Sequence, residues 1–279
     1  MTLVHVSSGA DLAVQDLGSG RPVVLVAGFG LDHRVWDRQV SALTRAGFRA
    51  VCVDQRGHGR SDKPLDGYDV PQLARDLLDI LEMLDLRPVT LVGHSFAGQV
   101  AFRAAVAEAS RAETSRIDSL VLVGSNAVRA SRSDAFPFGA AAADILPGLL
   151  AAEQEDRLAS RRANLALGFA APPPDPVLDW LTQMSLQMPS WAALACYHSM
   201  LETDQVPDVG RVTVPVLQVI GANDPVHSGR GAAWLSQRLA RARLVRLEQS
   251  GHYPMLEAGR AFDEALLGFL HADALAAKL

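Results

Sequence analysis

The chain has 279 residues, of which 49% are hydrophobic and 20% charged, a balance that excludes a disordered chain and supplies a sizeable core for a single α/β domain with an insertion. The net charge is −5, and no Lys/Arg cluster is dense enough to follow a phosphate backbone, which excludes nucleic acid as the expected partner. Arg161-Arg162 and the arginines at Arg238, Arg241 and Arg243 read as solvated faces.

Strands are predicted at Leu12 to Asp16, Val23 to Ala27 and Ala50 to Val53. A helix follows, with Leu73, Leu77, Leu78, Ile80, Leu81 and Leu84 at helical spacing and Pro71 at an early helical position. Val89 to Val92 is the next strand, Ser95 to Ala107 an Ala-rich helix, and Leu120 to Val123 another strand. The inner runs are apolar at successive positions, the mark of strands buried on both faces of a mostly parallel sheet. From about Asn126 to Val212 no strand run appears, and prolines punctuate short helical pieces rich in Leu, Met and Trp. The strand rhythm resumes at Val216 to Ile220 and Leu244 to Leu247, with helices at Trp234 to Leu239 and Phe262 to Leu270. Strand and helix in alternation predict an α/β sheet with helices on both faces. Residues 1–125 and 213–279 then form one core domain, and residues 126–212 a helical insertion over it.

Cys52 and Cys196 are too few and too far apart for a disulfide framework. No uninterrupted apolar stretch is long enough to span a bilayer, and Met1-Thr2-Leu3-Val4-His5 begins no signal-peptide pattern. A cytoplasmic protein without membrane contact is expected. No glycine loop opens a dinucleotide site and no His/Cys/Asp/Glu set has metal-ligand spacing, so no metal and no cofactor is expected.

The chemistry gathers at strand ends. In Val89-Thr90-Leu91-Val92-Gly93-His94-Ser95-Phe96-Ala97-Gly98 a serine sits where an apolar strand turns into a helix, flanked by residues small enough for a tight turn. Read alone, the turn also suits a serine that only caps the helix. A nucleophilic serine needs a base. His252, in Ser250-Gly251-His252-Tyr253-Pro254, follows the last strand run, and Asp224, in Gly221-Ala222-Asn223-Asp224-Pro225, follows the one before it. All three lie at carboxyl ends of strands, where open α/β sheets collect their ligands and catalytic groups. The order Ser, Asp, His is that of one serine-hydrolase architecture only. Val26-Ala27-Gly28-Phe29-Gly30 is a second strand-to-glycine turn; it suits an ordinary strand-to-loop turn, and in a serine hydrolase the backbone N–H groups of Phe29 and Phe96 would be the oxyanion donors.

These motifs, with Asp54-Gln55-Arg56-Gly57-His58-Gly59-Arg60-Ser61, resemble the α/β-hydrolase family over nearly the whole chain outside the insertion, and most closely its esterase, lactonase and cofactor-free haloperoxidase branch. The resemblance implies a mostly parallel central sheet flanked by helices, with residues 126–212 as a helical cap. It also implies that the run from Asp54 to Ser61 is a structural turn, not a source of bases. Two departures stand out: Ala27 where most relatives carry His in the oxyanion loop, and Ala97 where most carry Gly. The implied activity is hydrolysis of a small hydrophobic carboxylic ester or lactone through an acyl-enzyme on Ser95, with His252 as base and Asp224 as acid. Trp180 and Trp191 in the apolar cap are the expected substrate-binding side chains. Carbon–carbon bond hydrolysis and perhydrolysis use the same triad, and hydrolase-fold ligand sensors retain it, so these readings stay open. Substrate identity and oligomeric state are not legible.

Overall fold

A computed structural model describes residues 1–276, without the side chains of 111–113 and 273–276. Eight strands form one sheet: β1 (Thr2–His5), β2 (Asp11–Gly18), β3 (Pro22–Val26), β4 (Arg49–Val53), β5 (Val89–His94), β6 (Ile117–Val123), β7 (Val216–Gly221) and β8 (Ala242–Leu247). Their order across the sheet is β1-β2-β4-β3-β5-β6-β7-β8. β1 and β2 run antiparallel to their neighbours, and β4, β3 and β5 to β8 pair in parallel. The core helices are α1 (Asp37–Arg45), α2 (Val70–Met83) and α3 (Phe96–Glu108); between β6 and β7 lie α4 (Ala142–Glu155), α5 (Arg157–Leu167), α6 (Asp175–Ser185) and α7 (Ser190–Glu202); the remainder are α8 (Gly229–Ser236), α9 (Pro254–Glu257) and α10 (Gly259–Ala276).

The central strands are buried along their whole length, which is why they read as unbroken apolar runs. Alternate residues feed opposite layers. Val24, Val26 and Leu91 pack with Leu73, Leu77, Ile80 and Val100 of α2 and α3, whereas Val23, Leu25 and Val92 pack with Val40, Leu43, Phe262 and Leu266 of α1 and α10. Each fully buried aliphatic side chain contributes about 1.5–3 kcal/mol, so the two layers together hold the sheet between helices. The seven expected strands appear as β2 to β8. The chain added β1, a solvent-facing edge strand, and α1, neither of which was expected.

The direction of strand order reverses between β3 and β5: the chain leaves β3 toward β4 on one side and later runs β5, β6, β7, β8 on the other. Such a switch point opens a crevice at the carboxyl ends of the two strands. The Gly28-Phe29 turn stands on one side of it and Ser95 on the other.

The four helices between β6 and β7 are tied by a buried ion pair. Arg161 is 1% exposed, and its guanidinium donates to Glu153 Oε2 at 3.0 Å and Oε1 at 2.6 Å. It also donates to the carbonyls of Ser185 and Met188, and Ser190 Oγ donates to Glu153 Oε1 at 2.8 Å. This corrects the expectation of a solvated Arg161: a buried charge is tolerable only when paired and fully hydrogen-bonded, and here the pair joins α4, α5 and the α6–α7 turn. Arg162, its neighbour, does face outward, toward Asp175 and Asp179.

Candidate active site

Ser95 begins its turn with φ 53° and ψ −120°, a backbone conformation that favours glycine. Close packing holds it there. The Ser95 N–H donates to Val123 O at 2.9 Å, and the Gly98 N–H returns to Ser95 O at 2.9 Å. A Cβ at Gly93 would lie 2.4 Å from Ala97 O, and one at Gly98 would lie 2.3 Å from Ser125 Oγ, so the strand and helix meet with no room for side chains. Ala97 is accommodated in this turn, fully buried.

His252 is anchored through its backbone. Its N–H donates to Gly168 O at 2.7 Å, and its carbonyl accepts His94 Nε2–H at 2.9 Å. Glu257 receives the N–H groups of Gly251 at 2.9 Å and Tyr253 at 3.0 Å, closing the loop from below. Asp224 Oδ1 accepts the N–H groups of Val226 at 2.8 Å and His227 at 2.9 Å, which leaves Oδ2 for His252 Nδ1 at 3.1 Å. A carboxylate only accepts, so Nδ1 carries the proton and Nε2 offers its lone pair to Ser95 Oγ–H at 2.8 Å. The structure therefore brings Ser95, His252 and Asp224 into one hydrogen-bonded line. Burial alone would raise the Asp224 pKa, but His252 and the His227 N–H outweigh it and hold the carboxyl below its ordinary range.

Gly28 lies against the Ser95 turn: a Cβ there would be 2.8 Å from Ser95 Cβ and 2.9 Å from His94 Nδ1. Any side chain would push the loop away, so glycine is what lets this loop approach Ser95. Phe96 is the first residue of α3, and its N–H has no acceptor within the helix. The Phe29 ring stacks on Tyr197 of α7 at 4.5 Å, linking this loop to the insertion.

Above Ser95 opens a cavity of about 680 Å³. Phe29, Ile145, Leu149, Leu165, Met200 and Leu201 make its wall mostly apolar, and Ser95, His252 and His227 stand at its floor. Leu167 and Val226 also line it while remaining 68% and 48% exposed, so they form its rim. Trp180 and Trp191 do not line it. Trp180 packs, partly buried, against the core layer containing Leu178 and Leu181, and Trp191 is 47% exposed with its Nε1–H on Pro64 O at 3.1 Å. The expectation that they bind substrate is corrected on that ground: α6 and α7 turn other faces to the cavity.

Other histidines take different places. His58 is buried, hydrogen-bonded to Arg56 O at 2.9 Å, and burial pushes its pKa down to about 4. His198 is exposed beside Glu202. His94 is buried and driven down to about 3, chiefly by burial and then by the neighbouring His252, so it stays a neutral prop for the His252 loop. His227, which sequence reading passed over, lies with its ring 5.5 Å from that of His252. Among the described residues one acid–histidine group, Asp32, His33 and Asp54, has its atoms within 4.8 Å of one another. Its oxygens are engaged: Asp32 accepts Arg34 Nε at 2.9 Å and Nη2 at 2.6 Å, and Asp54 accepts the N–H groups of His33 at 2.8 Å and Arg60 at 2.9 Å. With Ser61 Oγ donating to Asp54 O at 2.5 Å, the run from Asp54 to Ser61 is a hydrogen-bonded brace.

With the site in view, comparison with known proteins is direct. The model of the Alpha/beta hydrolase family matches residues 23–265. The chain belongs to this family. It is 31% identical to the non-heme chloroperoxidase CPO-A1 of Kitasatospora aureofaciens, over 97% of this chain and 100% of that one. It is also 31% identical to a pimeloyl-[acyl-carrier protein] methyl ester esterase of Nitrosomonas europaea, over 91% and 97% of the two chains. Among solved structures, an esterase from Exiguobacterium antarcticum superposes with a TM-score of 0.91 at 28% identity, covering 97% of this hydrolase and 99% of that chain. No helix among the described residues is long and apolar enough to cross a membrane.

Proposed function

We propose that this hydrolase cleaves a small hydrophobic carboxylic ester or lactone through an acyl-enzyme on Ser95. The observation that carries the proposal is the line Asp224 Oδ2–His252–Ser95 Oγ at the floor of a 680 Å³ apolar cavity. His252 Nε2 accepts the Ser95 proton as Oγ attacks the carbonyl carbon, and Asp224 stabilises the imidazolium that forms. The amides of Phe29 and Phe96 receive the developing oxyanion. His252 then protonates the leaving alcohol oxygen, and the alcohol departs. A water attacks the acyl carbon in the reverse sense and frees the acid. The residues that line the cavity supply apolar contacts for the acyl portion, and nothing in the sequence requires a cofactor. In Ser95→Ala, turnover of short chromogenic esters and covalent labelling by a fluorophosphonate are both expected to vanish, with the circular dichroism spectrum unchanged. Full labelling of that variant would remove Ser95 as the nucleophile.

The similarity to a chloroperoxidase supports a second use of the same intermediate. Hydrogen peroxide in place of water would attack the acyl-enzyme, releasing a peracid and restoring Ser95. Peroxide-dependent halogenation of monochlorodimedone in acetate buffer, abolished in Ser95→Ala, would mark this route; halogenation that survives in the variant would exclude it.

A further inference from the structure

The turn after Asp224 places a further imidazole in the cavity, beside those of His94 and His252. His227 is 2% exposed overall yet lines the cavity, and its ring stacks on that of His252 with an interplanar angle of 28°. Its position is set from the backbone, since its N–H is held by Asp224 Oδ1 at 2.9 Å. Nδ1 is sealed from solvent and has no hydrogen-bond partner among the described residues. A buried N–H without an acceptor is costlier and rarer than a buried lone pair without a donor, so the ring proton belongs on Nε2, the nitrogen left on the cavity side. Burial, and then the proximity of His252, lower its pKa to about 4, so at neutral pH the ring is an uncharged donor. The charged side chain of the wall, Arg161, is fully engaged by Glu153 and two carbonyls. No step of the mechanism uses His227.

Its place relative to the reaction follows from His252. The leaving oxygen receives its proton from His252 Nε2, so the alcohol portion of the substrate departs past that ring. His227, its ring 5.5 Å from the same ring, flanks that portion, whereas the Phe29 amide stands at the Gly28 loop that abuts Ser95. We propose that His227 is a specificity-determining residue that donates Nε2–H to an oxygen acceptor on the alcohol portion of the ester or lactone. Substrates with an ether, carbonyl or amide oxygen there are preferred over plain alkyl esters. The inference rests on the ester-hydrolase reading and narrows its substrate class.

Methoxyethyl butanoate and butyl butanoate differ in that alcohol portion by one oxygen in place of a methylene, and they provide the test. The ratio of their kcat/KM values is compared in the wild type, His227→Phe, which keeps a ring against His252 without the donor, and His227→Gln, which restores an N–H near Nε2. The ratio is expected to fall about tenfold in the Phe variant and to recover in the Gln variant. A purely structural role would lower both esters together and leave the ratio where it was. A ratio unchanged in His227→Phe, or lost equally in both variants, overturns the inference. Turnover of butyl butanoate with labelling of Ser95 keeps the ester reading standing in either case, and a wild type that turns over neither ester overturns both.

Discussion

Asp224 divides its two oxygens between two tasks, Oδ1 holding the turn to His227 and Oδ2 holding the ring of His252. Asp224→Asn must put an NH₂ group in one of these places. At Oδ2 it meets the Nδ1–H as donor against donor and drives the proton to Nε2, where it blocks acceptance from Ser95. A loss of at least about two orders of magnitude in kcat is expected, with binding of a non-reacting ester analogue nearly unchanged. Stopped assays on the folded variant check this, and near wild-type kcat would place the acid elsewhere. The positions of Ser95, Asp224 and His252 were legible because each follows an apolar run that ends in a glycine turn. His227 was not, because Pro225-Val226-His227-Ser228 carries no pattern that separates a buried ring from a surface one. The backbone amides that Asp224 draws inward are what bury it.

At the scale of elements, the insertion shows how far apolar composition reaches. Counting Leu, Met and Trp foretold helices between β6 and β7, but a helix with apolar residues on several faces does not declare which face meets the cavity. Leu149 and Met200 do meet it, while Trp191 lies over Pro64 on the outside. Leu149→Ala is therefore expected to raise the octanoate-to-butanoate ratio of kcat/KM by about tenfold, the worth of one or two methylenes in an apolar pocket. Trp191→Ala is expected to leave that ratio unchanged. A chain-length series of chromogenic esters measures both, and a larger shift in Trp191→Ala would reverse the assignment. The edge strand β1 escaped the sequence for a related reason: only Val4 of its four residues is buried, so no apolar run announces it. α1 is short and amphipathic, and its apolar residues are interrupted by polar ones.

For the molecule as a whole, His58, His94 and His227 form a common liability toward acid. Each is buried and neutral, with its pKa lowered from 6.5 to about 4, 3 and 4 respectively. Between those folded values and the unfolded value of 6.5, the unfolded chain binds protons that the native chain refuses, so native stability falls as pH falls. Near pH 5 the unfolded chain takes up about three more protons from these residues, a slope of about 4 kcal/mol per pH unit. Urea midpoints measured from pH 7 down to 4.5 are expected to drop steeply over that window. A flat profile would mean that the three rings reach water in the native state. Only the whole fold buries them, since in sequence they lie far apart.

The φ of 53° at Ser95 carries a further consequence. Glycine would adopt that conformation without strain, so Ser95→Gly is expected to be more stable than Ser95→Ala, which loses the same hydroxyl, by about 1 kcal/mol, or about 2 °C in melting temperature. On the proposed mechanism the fold and the reaction thus favour different residues at one position. If Ser95 is the nucleophile proposed above, a lineage released from selection for turnover would find glycine the easier residue to fix there, and serine would be a trace of selection acting on chemistry against the preference of the fold.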